Sequence, residues 1–189
     1  MEIGETLYII HRKQWRAWLA KNGGKKKEIW LIYYNKASGK QRIPYNDAVE
    51  EALCYGWIDG ILKSMDKDRF VQRFSPRRKG SVLSEMNKER IRRMIKQKKM
   101  TSAGLKAVAH AFDKEKDKEK KFIIPKYILT ELKKNKQAWK NFQNFPEHYK
   151  RIRIVYIGHH GERSKEEFKK KLDYFIRMTE KNKRFGMMR

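Results

Sequence analysis

Disulfides, membrane-spanning runs and export signals are all missing from this chain of 189 residues. The single cysteine, Cys54, excludes an internal disulfide, and its place on the apolar side of a predicted helix indicates a small buried side chain. No apolar run approaches membrane-spanning length, and the N-terminus lacks the apolar core of a signal peptide. We therefore expect a cytoplasmic protein without disulfides.

Common catalytic and metal-binding motifs are also missing. The sequence has no glycine-rich phosphate loop, no CxxC pair, no HExxH and no nucleophile elbow. His159 and His160 are adjacent and cannot both face one metal on a regular element, so they indicate a polar turn. Asp66 and Asp68 lie where a hairpin turn favours aspartate. We expect no cofactor and no metal, and a binding protein is favoured over an enzyme.

Positive charge and aromatic residues, in contrast, are abundant. The chain has 48 Lys and Arg against 22 Asp and Glu, a formal net charge of +26, together with five Trp, nine Tyr and nine Phe. The aromatic content indicates a folded chain. The charge favours an anionic partner, either nucleic acid or an anionic membrane surface. High growth temperature or a biased genome composition also produces lysine-rich surfaces, and composition does not separate these origins.

Acidic and basic residues are concentrated in adjacent segments. Residues 44–68 carry six acids against two lysines, whereas residues 69–100 carry twelve Lys and Arg against two glutamates. Asn46 is the expected N-cap of a helix, and acids near the positive end of that helix stabilise it. These acids are Asp47, Glu50 and Glu51. Capping, helix dipole and turn chemistry therefore account for most of the acidic segment.

Hydrophobic periodicity predicts the α+β class, with a small antiparallel β-meander packed against helices and a mainly helical C-terminal region. Helices are predicted after His11, Pro44, Ser84, Thr101, Pro125 and Ser164, with Ser84 as an N-cap. Residues 29–43 predict a hairpin or at least one buried strand over residues 29–34, and residues 57–74 predict two antiparallel strands joined by a turn around Asp66 to Asp68. The segment Tyr149–Ile157 fits a strand or a helix. Residues 113–121 alternate charges without an apolar position, which predicts a charged linker or helix extension between domains 1–112 and 122–189.

Arginine, rather than lysine, dominates residues 69–78. The guanidinium group suits bidentate recognition of phosphate or carboxylate. Alternatively, Arg73 or Arg77 pairs with Asp59 or with the acidic helix and locks strand to helix. Trp57 likewise suits either the core or a binding surface. The candidate binding residues are Trp57, Asp59, Gln72, Arg73, Arg77, Arg78, Ser81, Asn87 and Arg90.

Several runs in order resemble the bacteriocin-protection family, also called the YdeI/OmpD-associated family. They are WRAWLAKN, IWLIYYNKASGK, IPYNDAVEEALCYGWIDG, QRFSPRRKGS and SEMNKERIRRMI. The resemblance covers residues 5–112, and the later runs IPKYILTEL and KKKLDYFI are similar to the helical C-terminal region of that family. It implies an N-terminal domain of the YjbR/frataxin-like type and a link to stress or antimicrobial resistance, with no known catalytic residues.

Three functions are consistent with these features. The first is a non-enzymatic protein that binds an anionic partner, with nucleic acid favoured, through the arginine segment and the helix after Ser84. The second is an enzyme or small-anion-binding protein with a pocket near Trp57, Asp59 and Arg73. The third is a helical module that contacts an anionic membrane surface. The sequence leaves the ligand and the oligomeric state open.

Overall fold

A mixed four-stranded sheet with helices forms the N-terminal part of the chain, and helices form the C-terminal part. The computed structural model describes residues 2–112, 122–161 and 164–186, with the backbone alone for residues 159–161. The chain divides into an N-terminal unit, Met1–Lys114, and a C-terminal unit, Glu115–Arg189. The predicted linker, residues 113–121, lies outside the described residues. The predicted α+β class is confirmed.

The sheet of the N-terminal unit has the strand order β1-β2-β4-β3. The elements of this unit are β1 (Thr6–Tyr8), α1 (Arg12–Asn22), β2 (Ile29–Tyr34), α2 (Tyr45–Cys54), β3 (Trp57–Ser64), β4 (Arg69–Pro76), α3 (Glu85–Lys96) and α4 (Ser102–Val108). The predicted antiparallel pair β3–β4 is present, and β4 also pairs antiparallel with β2. The short β1 was not predicted. Because β1 runs parallel to β2 and β4 lies between β2 and β3, the sheet differs from a simple meander.

Helix boundaries in this unit follow local sequence signals in most places. Ser84 caps α3 by accepting a hydrogen bond from the Asn87 backbone N–H, as the sequence predicted. Thr101 caps α4 in the same way. Gly56 follows the end of α2 with a φ of 77°, a left-handed conformation that favours glycine. These signals fix where the helices begin and end, and hence which side chains they bury.

Side chains that alternate along β4 point to opposite faces of the sheet. Phe70 and Phe74 face the helices, where Phe74 is fully buried with Trp15 of α1 and Leu53 of α2. Arg73 therefore lies on the other face. Burial of Cys54 at the end of α2 raises the pKa of its thiol to about 11, which agrees with the predicted unreactive side chain.

The acids of α2 have a role that the sequence did not predict. Helix α2 begins at Tyr45 after Pro44, without a side-chain cap, so the prediction of Asn46 as N-cap was wrong. Glu50 and Glu51 are 5% and 2% exposed, far more buried than acids that merely complement a helix dipole. Their carboxylates instead pair with arginines of α1 and α3. The pairs are Arg12–Glu50, Arg12–Glu51, Arg16–Glu51 and Arg93–Glu50.

Helices dominate the described part of the C-terminal unit. They are α5 (Lys126–Lys134), α6 (Lys136–Asn144), α7 (Glu147–Gly161) and α8 (Lys165–Glu180). Asn135 accepts a hydrogen bond from the Ala138 backbone N–H and so begins α6 directly after α5. The ambiguous Tyr149–Ile157 segment is helical, and α7 continues through residues 159–160, where a polar turn was predicted. No helix among the described residues is long and apolar enough to cross a membrane.

Candidate ligand-binding site

Asp59 lies near the start of β3, immediately before an irregularity in the strand pairing. It pairs with Phe74 of β4, whereas Leu62 pairs with Gln72, so β3 contains one extra residue between these positions. The Gln72 side chain donates hydrogen bonds to the carbonyls of Gly60 and Ile61, at 2.6 and 3.3 Å. These bonds satisfy two backbone carbonyls of the bulge, and the Gln72 residue that makes them is 5% exposed. Bulges of this kind often reorient a neighbouring side chain, here Asp59.

A short hydrogen bond joins Asp59 to the start of α2. The Tyr45 hydroxyl donates to Asp59 Oδ2 at 2.6 Å. Burial, the hydrogen bond to Asp59 and the carboxylate charge together raise the pKa of Tyr45 well above its ordinary value. The pair therefore presents a neutral phenol that is held by a carboxylate.

Arg77 lies directly after β4, and its side chain holds the loop that leads to α3. Its Nη2 donates to Ser81 O, Ser81 Oγ and Val82 O at 3.1, 2.9 and 3.2 Å. Its buried Nε has no hydrogen-bond partner among the described residues. Burial lowers the pKa of Arg77, and the charge of Asp59 opposes that effect. The guanidinium is thus partly desolvated, and its buried Nε is available to a ligand.

Arg90 of α3 is 6% exposed and brings a second guanidinium to the same region. Its Nη1 donates to Asn87 Oδ1 at 2.8 Å, and its Nη2 donates to Asn46 Oδ1 at 2.6 Å. It lies 5.9 Å from the ring centroid of Tyr45. Burial lowers the pKa of Arg90, and the charges of Asp59 and Glu50 oppose that effect.

Tyr33 of β2 completes this polar group. Its hydroxyl is buried and, within the described parts of the chain, makes no hydrogen bond. Burial raises the pKa of Tyr33, and the nearby Tyr45 and Asp59 raise it further, whereas Arg42 opposes them. We refer to Tyr33, Tyr45, Asp59, Arg77 and Arg90 as the Asp59 cluster. The cluster contains two guanidiniums against one carboxylate, and two of its buried donors, Tyr33 Oη and Arg77 Nε, have no partner among the described residues.

The structure brings together only part of the predicted set. Asp59, Arg77, Ser81, Asn87 and Arg90 contribute to the cluster or contact its members directly. Sequence reasoning did not select Tyr33, Tyr45 or Asn46 as site residues. The run IPYND placed Tyr45 and Asn46 at the start of a helix, which was the available signal for both.

Gln72 supports the bulge that follows Asp59, and the other three predicted residues lie elsewhere. Trp57 is 1% exposed and donates from Nε1 to Gly23 O at 2.9 Å, so it is a core residue. Arg73 lies on the opposite face of the sheet from Asp59, and its Nη2 pairs with Glu28 Oε2 at 2.6 Å. Arg78 is exposed. Arg73 therefore pairs with a carboxylate, as expected if its role is structural. Its partner is Glu28 rather than Asp59 or an acid of α2.

The N-terminal unit is thus an α+β unit with a partly desolvated, positively charged polar cluster, and a helical unit follows it in the chain. The chain belongs to the family described as Domain of unknown function (DUF8412), whose model matches residues 7–107, more than half of the chain. Residues 121–182 match the family described as Bacteriocin-protection, YdeI or OmpD-Associated, which confirms the family expected from the sequence. The match lies in the C-terminal region, whereas most of residues 5–112, where the resemblance was expected to be strongest, match the DUF8412 model instead. Comparison with curated proteins and with solved structures gives no match.

Proposed function

We propose that the N-terminal unit binds a small anionic molecule at the Asp59 cluster, without a catalytic step. The observation that carries this proposal is a pair of buried donors, Tyr33 Oη and Arg77 Nε, that have no hydrogen-bond partner among the described residues and whose pKa values are both affected by the charge of Asp59. Buried polar groups without partners are costly, and a bound anion removes that cost. The family matched by the C-terminal unit is described by bacteriocin protection, and we propose further that this binding serves resistance to an antimicrobial or other stress.

The chemistry of the cluster defines the class of ligand. Arg77 and Arg90 supply charged donors for a phosphate or a carboxylate, and Asp59 accepts a hydrogen bond from a hydroxyl on the same molecule. The net positive charge of the cluster favours an anion over a neutral polyol. Because the cluster is partly removed from water, its hydrogen bonds and ion pairs with a ligand are stronger than the same contacts at an open surface.

The test is a thermal-shift and calorimetric screen of the full chain with hydroxylated phosphates and carboxylates. A ligand at one hundred times its Kd stabilises the unit by about 2.7 kcal/mol. Arg77→Met should weaken binding about ten- to hundredfold, since a hydrogen bond to a charged group contributes about 1.5–3 kcal/mol. Arg78→Met is the matched control because Arg78 is the exposed neighbour with the same charge, and it should bind normally.

Tyr33→Phe separates binding from stability. It removes a buried hydroxyl without a partner, so the free energy of unfolding should stay unchanged or rise by about 1 kcal/mol, while affinity falls. Equal losses in Arg77→Met and Arg78→Met, or unaltered affinity in Tyr33→Phe, would contradict the proposal. A screen in which no anion raises the melting temperature would also contradict it.

A second candidate, nucleic-acid binding, is favoured by a group of rings and cations at the β1–β2 edge. Tyr8 is 44% exposed and makes an edge-to-face contact with Tyr34 at a centroid distance of 5.3 Å. Lys40 Nζ lies 4.6 Å from the Tyr34 ring centroid. Exposed aromatic rings beside cations suit the stacking of single-stranded bases. Two of the arginines first assigned to this role pair within the protein, Arg69 with Asp66 and Arg73 with Glu28.

Fluorescence anisotropy with a single-stranded oligonucleotide across a salt series tests this second candidate. Affinity should fall with salt at a logarithmic slope of about −0.7 for each phosphate contact. Tyr8→Ala should weaken binding about five- to hundredfold, because stacking on one base contributes about 1–3 kcal/mol. Tyr127→Ala, which removes an exposed tyrosine of the C-terminal unit, should leave affinity unchanged. Absence of binding at low salt excludes this candidate.

A further inference from the structure

The C-terminal unit contains a cavity of about 310 Å³ between α7, α8 and the segment that follows α8. Its apolar lining consists of Tyr156, Ile157, Tyr174, Phe175 and Phe185. Four of these five side chains are aromatic, so the cavity offers ring faces and edges. This volume is at the lower end of the range for small-molecule sites, which are about 300–1,000 Å³.

Cations line the same cavity, and they differ in their partners. Lys170 pairs with Glu166 at 2.5 Å, and Lys171 with Glu167 at 3.6 Å. Arg153 is 8% exposed, and no carboxylate of a described residue pairs with it. A buried charge without a counter-ion is expensive, so Arg153 is where an anion would gain most.

The Arg153 side chain is held in place by the end of the described chain. Its Nη2 donates to Phe185 O, and its guanidinium lies 4.4 Å from the Phe185 ring centroid and 5.6 Å from that of Tyr149. The Phe185 N–H donates to Tyr149 Oη at 3.3 Å. Gly186 has a φ of 96°, and a Cβ there would collide with Arg153 Nη2. These contacts fix Phe185 as one wall of the cavity.

Arg153 still has hydrogen-bonding capacity. Its buried Nε lacks a hydrogen-bond partner in the part of the chain that the structure describes. A guanidinium with one donor used and another free suits a carboxylate oxygen. From the apolar lining, the volume and this guanidinium, which pairs with no carboxylate of a described residue, we infer that the cavity binds a small aromatic carboxylate, with its ring among the aromatic side chains and its carboxylate on Arg153. This site is separate from the Asp59 cluster.

The experiment is a calorimetric titration of the full chain with 2-naphthoate, compared with its neutral analogue 2-naphthamide. We expect 2-naphthoate to bind at least tenfold more tightly than the amide. Arg153→Met should weaken 2-naphthoate binding at least tenfold. Lys169→Met, which removes one charge from an exposed position of α8 outside the lining, should change the affinity less than twofold. Equal affinities for acid and amide, or an Arg153→Met variant that binds normally, would overturn the inference.

A measurement on the unaltered protein covers the case in which Arg153→Met fails to fold. Amide chemical shifts recorded during the same titration should move at Phe175 and Phe185 and stay fixed around Asp59. Shifts confined to the Asp59 cluster would assign the compound to that site and refute the inference. Lack of any saturable shift at millimolar 2-naphthoate would refute it as well.

Discussion

Glu51→Ala is expected to lower the free energy of unfolding of the N-terminal unit by about 3 kcal/mol. Its carboxylate accepts from Arg12 Nε at 2.5 Å and from Arg16 Nη1 at 2.6 Å, and its side chain is 2% exposed. Removing one partner of a buried pair leaves the other charge uncompensated and costs about 3–5 kcal/mol. The lower end applies here because the Arg12 and Arg16 side chains keep 27% and 36% of their surface in solvent. Urea unfolding followed by tryptophan fluorescence measures the change.

Glu5→Ala is the control for this prediction within the same unit. Glu5 pairs with Lys26 at the same distance of 2.5 Å, but the two side chains are 56% and 43% exposed. An exposed pair contributes about 0–1 kcal/mol, so this change should be small. If the two variants lost similar stability, burial of Glu51 would not be the cause. A loss below 1 kcal/mol for Glu51→Ala would show that its arginines are readily rehydrated.

Local sequence signals predicted the helices and strands whose ends are marked by capping or turn residues in the same segment. Helix α3 was predicted from its apolar spacing and from Ser84 as cap, and β3 and β4 from their alternation around Asp66. The Asp66 carboxylate accepts the backbone N–H groups of Asp68 and Arg69, which is the turn chemistry expected there. Strand β1 has three residues, and it pairs with β2, which lies more than twenty positions away in the sequence. No local pattern of that length predicts a strand.

Long-range pairing explains why the candidate site was only partly predictable. Asn46 and Glu50 were interpreted through their own helix, whereas their partners Arg90 and Arg93 come from α3, more than forty residues away. Arg73 was grouped with Asp59 because both lie in adjacent strands. The extra residue in β3 changes its register against β4 and so helps to decide which faces these side chains occupy, and this bulge is not visible in the sequence.

Gly104→Ala is expected to destabilise the N-terminal unit by about 3 kcal/mol, against the direction of helix propensity. Alanine is normally better than glycine inside a helix by about 1 kcal/mol. At this position in α4, however, a Cβ would collide with the carbonyl oxygen of Cys54 and lie 3.0 Å from that of Leu53. These are backbone atoms and cannot rotate away. Overpacking usually costs about 1–3 kcal/mol, and the rigid neighbours favour the upper end.

The contacts of Thr101 show why α4 cannot simply move aside. Its Oγ1 donates to Cys54 O at 2.7 Å, and its backbone N–H donates to the same oxygen at 3.0 Å. Displacement of α4 would stretch both bonds. Gly158→Ala in α7 is the matched control, because among the described residues its Cβ would meet Tyr127 Oη alone, at 3.5 Å, an ordinary contact. That variant should gain up to about 1 kcal/mol in thermal or urea unfolding. A gain in both variants would show that α4 packs less closely on α2 than these distances indicate.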